Sequence, residues 1–263
     1  MAETTAPPFV SFRGVKKSFG DKVVYDGLDV DVIRGETLTV LGPSGCGKSV
    51  MLKMLIGLIG YDEGSITFDG AEVNTMGREA LSQLRVRIAY LFQSAALFDS
   101  MTVEDNVAYG LRERFWDSMS DEAIRARVTK SLARVGLEGT EKMMPSDLSG
   151  GMRKRAGLAR TLALEPDVIL YDEPTTGLDP INTARINALI LTIQKELGIT
   201  SIVVTHDMGT AFHVSNRMLM LGRGRVHLIG TPDDFHRTRD PYVRAFVEGK
   251  VIENGPSQSL APH

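Results

Sequence analysis

The chain has 263 residues, 43% of them hydrophobic and 24% charged, with a formal net charge of −3. That is enough apolar material for one large domain or two closely packed ones and excludes a wholly disordered chain; the slight acidity argues against a nucleic-acid binder and offers no global attraction to anionic lipid. The single cysteine, Cys46, excludes a disulfide framework and a cysteine-based zinc site.

In chain order, Met1–Pro8 carries Glu3 and lacks both a basic start and an apolar core, so it does not read as a secretory signal. Strand patterns follow at Val10–Arg13, Leu28–Val32, Thr37–Leu41, Ser65–Phe68 and Ile88–Phe92, and the early ones, Leu28–Leu41 included, predict an antiparallel lobe. Residues from about 94 to 165 read mostly helical: Thr102-x-x-Asp105 is a capping-box start, and Ser120 caps a stripe of Ile124, Val128 and Leu132 that stops at Gly136. Ser149 caps a further helix bearing Leu158, Ala159 and Leu162. Strands at Val168–Tyr171 and Ser201–Thr205 flank a helix that starts at Asp179-Pro180, carries Ile186, Leu189, Ile190, Ile193 and Leu197, and ends before Gly198. Met218–Leu221 and Arg225–Gly230 predict a hairpin, and residues 254–263 read as a tail. Strands alternating with helices imply a parallel central sheet. No apolar run is long enough to span a bilayer, so a cytoplasmic chain held at the membrane through partners is expected.

The chemistry is concentrated in a few stretches. Gly42-Pro43-Ser44-Gly45-Cys46-Gly47-Lys48-Ser49 fits the phosphate-binding pattern G-x-x-x-x-G-K-[ST], between a strand and a helix as that pattern requires. Its glycines let backbone N–H groups approach phosphate, the helix N-terminus adds positive potential, Lys48 reaches the β- and γ-phosphates, and Ser49 ligates Mg²⁺. Asp172 and Glu173 end the Val168–Tyr171 strand. A carboxylate there suits a second magnesium contact, and its neighbour suits orienting an attacking water. Ser149-Gly150-Gly151 opens a second anion-binding helix N-terminus, one more than a single nucleotide needs, which points to a partner subunit's nucleotide. Cys46, near a helix N-terminus and Lys48, is expected to ionise easily, and so to react with maleimide unless ATP protects it. Arg153-Lys154-Arg155 and Arg223–Arg225 read as solvated faces, the first also as a neighbour of the partner's nucleotide or a permease. Phe115 and Trp116 read as local packing, or as an aromatic pair open to a membrane partner. The remaining histidines show no ligand spacing.

Over roughly residues 9–250 the chain resembles the ATP-binding subunit of ABC transporters. Phe19 matches the adenine-stacking aromatic, Gln93 the glutamine that senses magnesium and water, Leu148–Met152 the signature, Pro174–Pro180 with Asp179 the D-loop, and His206 the switch histidine. A lone histidine or glutamine would say little; six motifs in family order say much. The resemblance implies a phosphate-loop NTPase fold with a RecA-like parallel-sheet core, an antiparallel β lobe and a helical subdomain at about 94–165. It implies two copies facing head to tail around two ATP molecules, with magnesium, and an integral membrane permease. Met152 stands where most members carry Gln, removing a polar contact to the partner's nucleotide, and Val50 stands where Thr is common, removing a hydroxyl from the α-phosphate.

Gln93–Val107, Gly47–Val50, Leu148–Arg155, Tyr171–Ile181 and Asp240–Gly249 are similar to the maintenance-of-lipid-asymmetry (Mla) ATPases. That similarity implies phospholipid transport between membranes, an Mla-type permease, a membrane-anchored MCE lipid-binding protein and a small STAS-domain subunit. An importer of a small solute such as a polar amino acid shares much of the pattern and is the alternative. A non-transport ABC protein fits less well. One cassette is present, and roughly 55 residues separate Gln93 from the signature, too few for a long coiled-coil arm.

Overall fold

The computed structural model describes residues 7–250. The tail expected at 254–263 lies outside them, as do the first six residues of Met1–Pro8. β1 (Val10–Phe19) and β2 (Lys22–Val32) form an antiparallel hairpin. Both strands run well beyond their predicted segments. Register shifts between Phe12 and Val15, and again between Lys17 and Ser18, break the alternation that marks a half-buried strand. β3 (Thr37–Leu41) is buried at every residue, as a central strand covered on both faces must be. It leads through the glycine-rich loop into α1 (Lys48–Leu55). Then come β4 (Glu63–Phe68), β5 (Ala71–Glu72), α2 (Arg78–Arg87) and β6 (Ile88–Leu91).

Three helices follow, each capped by the residue the sequence singled out. Thr102 accepts from the Asp105 N–H to open α3 (Val103–Phe115), Ser120 from Ala123 to open α4 (Asp121–Arg134), and Ser149 from Met152 to open α5 (Gly150–Ala163). β7 (Val168–Asp172) precedes α6 (Pro180–Leu197), which Asp179 caps at one end and Gly198, at φ 64°, closes at the other. β8 (Thr200–Val204), α7 (Met208–Val214), the hairpin of β9 (Arg217–Gly222) and β10 (Arg225–Gly230), α8 (Pro232–Arg237) and α9 (Pro241–Val247) complete the described chain.

The strands form two sheets, a four-stranded antiparallel one ordered β2-β1-β4-β5 and a six-stranded one ordered β10-β9-β3-β8-β7-β6. In the larger sheet only the β9–β10 pair is antiparallel. β3 belongs to this parallel core, which corrects its expected place in the antiparallel lobe. A strand with no exposed face pairs where helices and the second sheet cover both sides. One apolar core joins the two sheets around α1, a second joins α3, α4 and α5 to β7 and α6, and a third seats α7, α8 and α9 against Leu41, Met218 and Met220.

Candidate active site

β3, β8, β7 and β6 lie side by side and parallel, so their C-terminal ends share one edge. Spacing of about 4.8 Å between neighbouring strands brings together four loops far apart in sequence. The glycine-rich loop leaves β3, the Gln93 turn leaves β6, Asp172 and Glu173 end β7, and His206 follows β8.

The loop's shape is dictated by glycine at two points. Gly42 has φ 152°, and a Cβ there would sit 2.4 Å from the Leu221 carbonyl oxygen; Gly47 has φ 111°, and its Cβ would sit 2.6 Å from Val24 Cγ1. The Gly47 carbonyl accepts a 2.6 Å hydrogen bond from the Tyr25 hydroxyl, whose burial pushes its phenol well above the ordinary range. No side chain caps the start of α1 at Gly47, which leaves its first N–H groups for a ligand. Lys48 is buried and donates to the Gly42 and Pro43 carbonyls at 2.7 and 3.2 Å.

The acidic end of β7 is held from both sides. Asp172 accepts from the Ser49 hydroxyl at 2.8 Å and from the Tyr90 hydroxyl at 2.7 Å. Glu173 sits at φ 51°, in the left-handed region that a side chain rarely occupies. Its N–H donates to the Val204 carbonyl at 2.9 Å. Its carboxylate accepts from Thr176 and Thr205 at 3.2 and 3.3 Å, and lies 2.9 and 3.0 Å from His206 Nδ1.

A cleft of about 400 Å³ is lined by Phe19, Ser44, Gly45, Gly47, Lys48, Ser49, Val50, Gln93, Glu173 and His206, with Lys22 and Val24 added. Asp172 reaches it through Ser49. Of the other expected residues, Gly42 shapes the loop from behind, while Pro43 and Cys46 line a neighbouring cleft with Arg223 and Tyr242. Ser149, Gly150, Gly151 and Asp179 do not line the main cleft; they meet where α5 packs on α6. There a Cβ on Gly151 would fall 2.5 Å from Asn182 Oδ1, and the Asn182 N–H donates to Asp179 at 3.0 Å.

Three expectations are corrected. Burial pushes the Cys46 thiol up, outweighing the nearby Lys48 ammonium, so the thiol is not primed for ionisation. Arg153-Lys154-Arg155 is a solvated face only at Arg153, which is exposed though it donates to the Leu148 carbonyl; Lys154 is buried, and the half-buried Arg155 donates to the carbonyls of Val135 and Gly136. The aromatic pair divides, with Phe115 packed in the helical core and Trp116 exposed. Tyr25 and Tyr90 escaped sequence reading, and Lys154 was read only as part of a basic cluster, because each bonds a residue distant in the chain; Asn182 escaped because its packing against Gly151 is made only in the fold. Thr176 and Thr205 lay inside quoted motifs, where a hydroxyl three residues after, or beyond the next strand from, a carboxylate was the only hint.

A nucleotide cleft on the C-terminal edge of a parallel sheet, with lysine, hydroxyl and paired carboxylates around a glycine loop, defines a phosphate-loop nucleotide triphosphatase. The ABC transporter family model matches residues 25–176. The intermembrane phospholipid transport system ATP-binding protein MlaF of Escherichia coli K12 is 39% identical over 254 residues, covering 97% of this chain and 93% of the relative. A probable ribonucleotide transport ATP-binding protein, mkl of Mycobacterium leprae, is 42% identical over 243 residues, covering 92% of this chain and 70% of the relative. An ATP-binding cassette solved as a dimer in a post-hydrolysis state with ADP and Pi is similar in structure, with a TM-score of 0.77, 31% identity, and 85% and 98% of the two chains covered. The chain belongs to the ABC transporter family as an ATP-binding protein, and it is an ATPase.

Proposed function

We propose that this chain is the ATP-hydrolysing engine of a lipid transporter, two copies of it working head to tail against an integral membrane permease. The observation that carries the hydrolytic half is the convergence of Lys48, Ser49, Gln93, Glu173 and His206 on one cleft. Phe19, half exposed at the cleft rim, offers its ring to adenine. Backbone N–H groups of the loop and α1 take the phosphates, and Lys48 turns from its two carbonyls to the β- and γ-phosphates. Ser49 and Asp172, already joined at 2.8 Å, form a hard oxygen pair that would hold Mg²⁺. Among the described residues no cluster of three or more His, Cys, Asp or Glu side chains offers a metal site, and this pair needs none. When bound, the ion would neutralise charge on the phosphates. Tyr90 holds the other Asp172 oxygen so that the carboxylate cannot swing away.

Glu173 aligns the attacking water. Thr176, Thr205 and His206 fix its carboxylate, and the other His206 nitrogen is left for the γ-phosphate. Gln93 reports occupancy to the permease side. Catalysis is positioning and charge stabilisation, as phosphoryl transfer demands. The helix N-terminus at Ser149-Gly150-Gly151, with Asp179 beside it, lies off the cleft of its own chain and so completes the partner's, which the dimeric cassette with ADP and Pi supports as an arrangement. Residues 9–250 act as this nucleotide-binding unit, with 94–165 as its helical part. Closure of the pair on ATP and reopening after hydrolysis drive the permease between two states.

The permease docks in an apolar cleft of about 520 Å³ that includes Leu58, Phe92, Phe98, Tyr109 and Leu164 and adjoins the Gln93 turn. No helix among the described residues is long and apolar enough to cross a membrane, so attachment to the inner face of the cytoplasmic membrane runs through that partner. The phospholipid reading rests on MlaF and on the Mla-like segments; an MCE-domain lipid carrier and a STAS-domain subunit complete the assembly. In the purified full chain, Glu173→Gln is expected to bind ATP and dimerise while hydrolysing it at least a hundredfold more slowly, and Lys48→Ala to lose binding or turnover. Near wild-type turnover by Glu173→Gln would remove Glu173 from its role.

A further inference from the structure

Lys154 lies on α5, within two turns of the Ser149 cap, and only 6% of it is exposed. Its ammonium donates to the carbonyl of Gln93 and, at 3.2 Å, to the carbonyl of Glu173. Burial lowers its pKa, opposed by the charges of Glu173 and Asp172. A buried ammonium is costly unless its hydrogen bonds are made, and packing alone would be served better by an apolar side chain. What the lysine adds is a tie between three separate segments. One is the helix whose N-terminus carries the signature, one is the Gln93 turn, and one is the Glu173 turn.

We infer that Lys154 is a positioning residue for hydrolysis, locking the main chain of Glu173 and of Gln93 to the signature helix. The inference rests on the role of Glu173 proposed above. Glu173 occupies a strained left-handed conformation that persists only where its surroundings hold it. Its N–H is held by Val204, and its carbonyl by Lys154 and, at 3.3 Å, by the Thr176 N–H of the same turn, so Lys154 is the tie that anchors this carbonyl outside its own turn. Without the lysine the turn relaxes and the carboxylate drifts from the line of attack, where a displacement of about 1 Å costs on the order of a hundredfold in rate. Because α5 is rigid from Ser149 to Lys154, a shift of the signature against a partner's nucleotide moves the same lysine. Each subunit's carboxylate is thereby set by whether its own signature is engaged.

The test uses the full chain, tagged and purified with its membrane partners, and compares steady-state hydrolysis of wild type, K154M, K154Q and K154R, alone and combined with Glu173→Gln. K154M and K154Q are expected to lower kcat roughly 10- to 100-fold with KM for ATP changed less than about threefold. K154R, whose guanidinium can reach both carbonyls, is expected to recover most of the rate. In the Glu173→Gln background K154M is expected to cost nothing further, because it acts through the residue already removed. Additive losses in the double variant, a raised KM at unchanged kcat, or K154R as slow as K154M would each overturn the inference while leaving the Glu173 assignment standing. Fast hydrolysis by Glu173→Gln alone would overturn both.

Discussion

Tyr25 shows how one hydroxyl can shape a nucleotide site without touching the nucleotide. Its oxygen holds the Gly47 carbonyl at 2.6 Å from a fully buried position, at the point where the loop turns into α1. That carbonyl also accepts from the Val50 and Met51 N–H groups, so the hydroxyl ties the first turn of α1 to β2. Tyr25→Phe removes one of three donors to that carbonyl, which keeps the Val50 and Met51 N–H groups at 2.7 and 3.1 Å, and is expected to lower unfolding free energy by about 1 kcal/mol and to raise KM for ATP. Urea melts and a nucleotide titration check this, and an unchanged KM with unchanged stability would show that the bond shapes nothing. At this scale the sequence was legible wherever a motif fixes spacing. The strand-end position of Asp172 and Glu173 and the loop from Gly42 to Ser49 follow from pattern alone. Tyr25, Tyr90 and Lys154 were illegible because their partners lie 22, 82 and 61 residues away, and only the fold brings them close. Cys46 misled for the same reason: its neighbours in sequence suggested a low pKa, whereas its surroundings in space bury it.

Elements meet where side chains are smallest. α5 approaches the start of α6 so closely that Gly151 has no room for a Cβ beside Asn182, and Asn182 in turn bonds Asp179. The signature and the D-loop region are therefore one packed unit. Gly151→Val is expected to push α5 off α6, reducing ATP-dependent dimerisation and turnover at least tenfold while ATP affinity of the monomer stays near wild type, because Gly151 does not line the subunit's own cleft. Size-exclusion chromatography with and without ATP, beside a nucleotide titration, reads both; equal loss of monomer affinity would contradict the division of labour. Helices were well legible here, since Thr102, Ser120, Ser149 and Asp179 announce their starts by chemistry alone. The strands were less so. The bulges that bend β1 around Val15 erase its alternation, and the fully buried β3 has none to show, so neither its pairing nor its sheet could be read from period.

For the whole molecule, the order β3-β8-β7-β6 is what turns separate motifs into a site, and no local signal in the chain specifies that order. On another face, Leu58, Phe92, Phe98 and Tyr109 surround an apolar cleft that begins where the Gln93 turn ends. Hydrolysis and the proposed permease contact are thus separated by one short turn, the distance over which a change at Gln93 must be felt. Trp116 is exposed and does not line that cleft, so the aromatic signal in the sequence did not mark the proposed docking surface. Cargo cannot be read from the catalytic cleft, because the residues that move phosphate do not touch what the permease carries. The most direct measurement is a tagged pull-down of the full chain from native membranes with identification of retained proteins and lipids. The account predicts an integral permease, an MCE-domain partner and enriched phospholipid. A permease retained with a soluble solute-binding protein and no enriched lipid would contradict the lipid assignment.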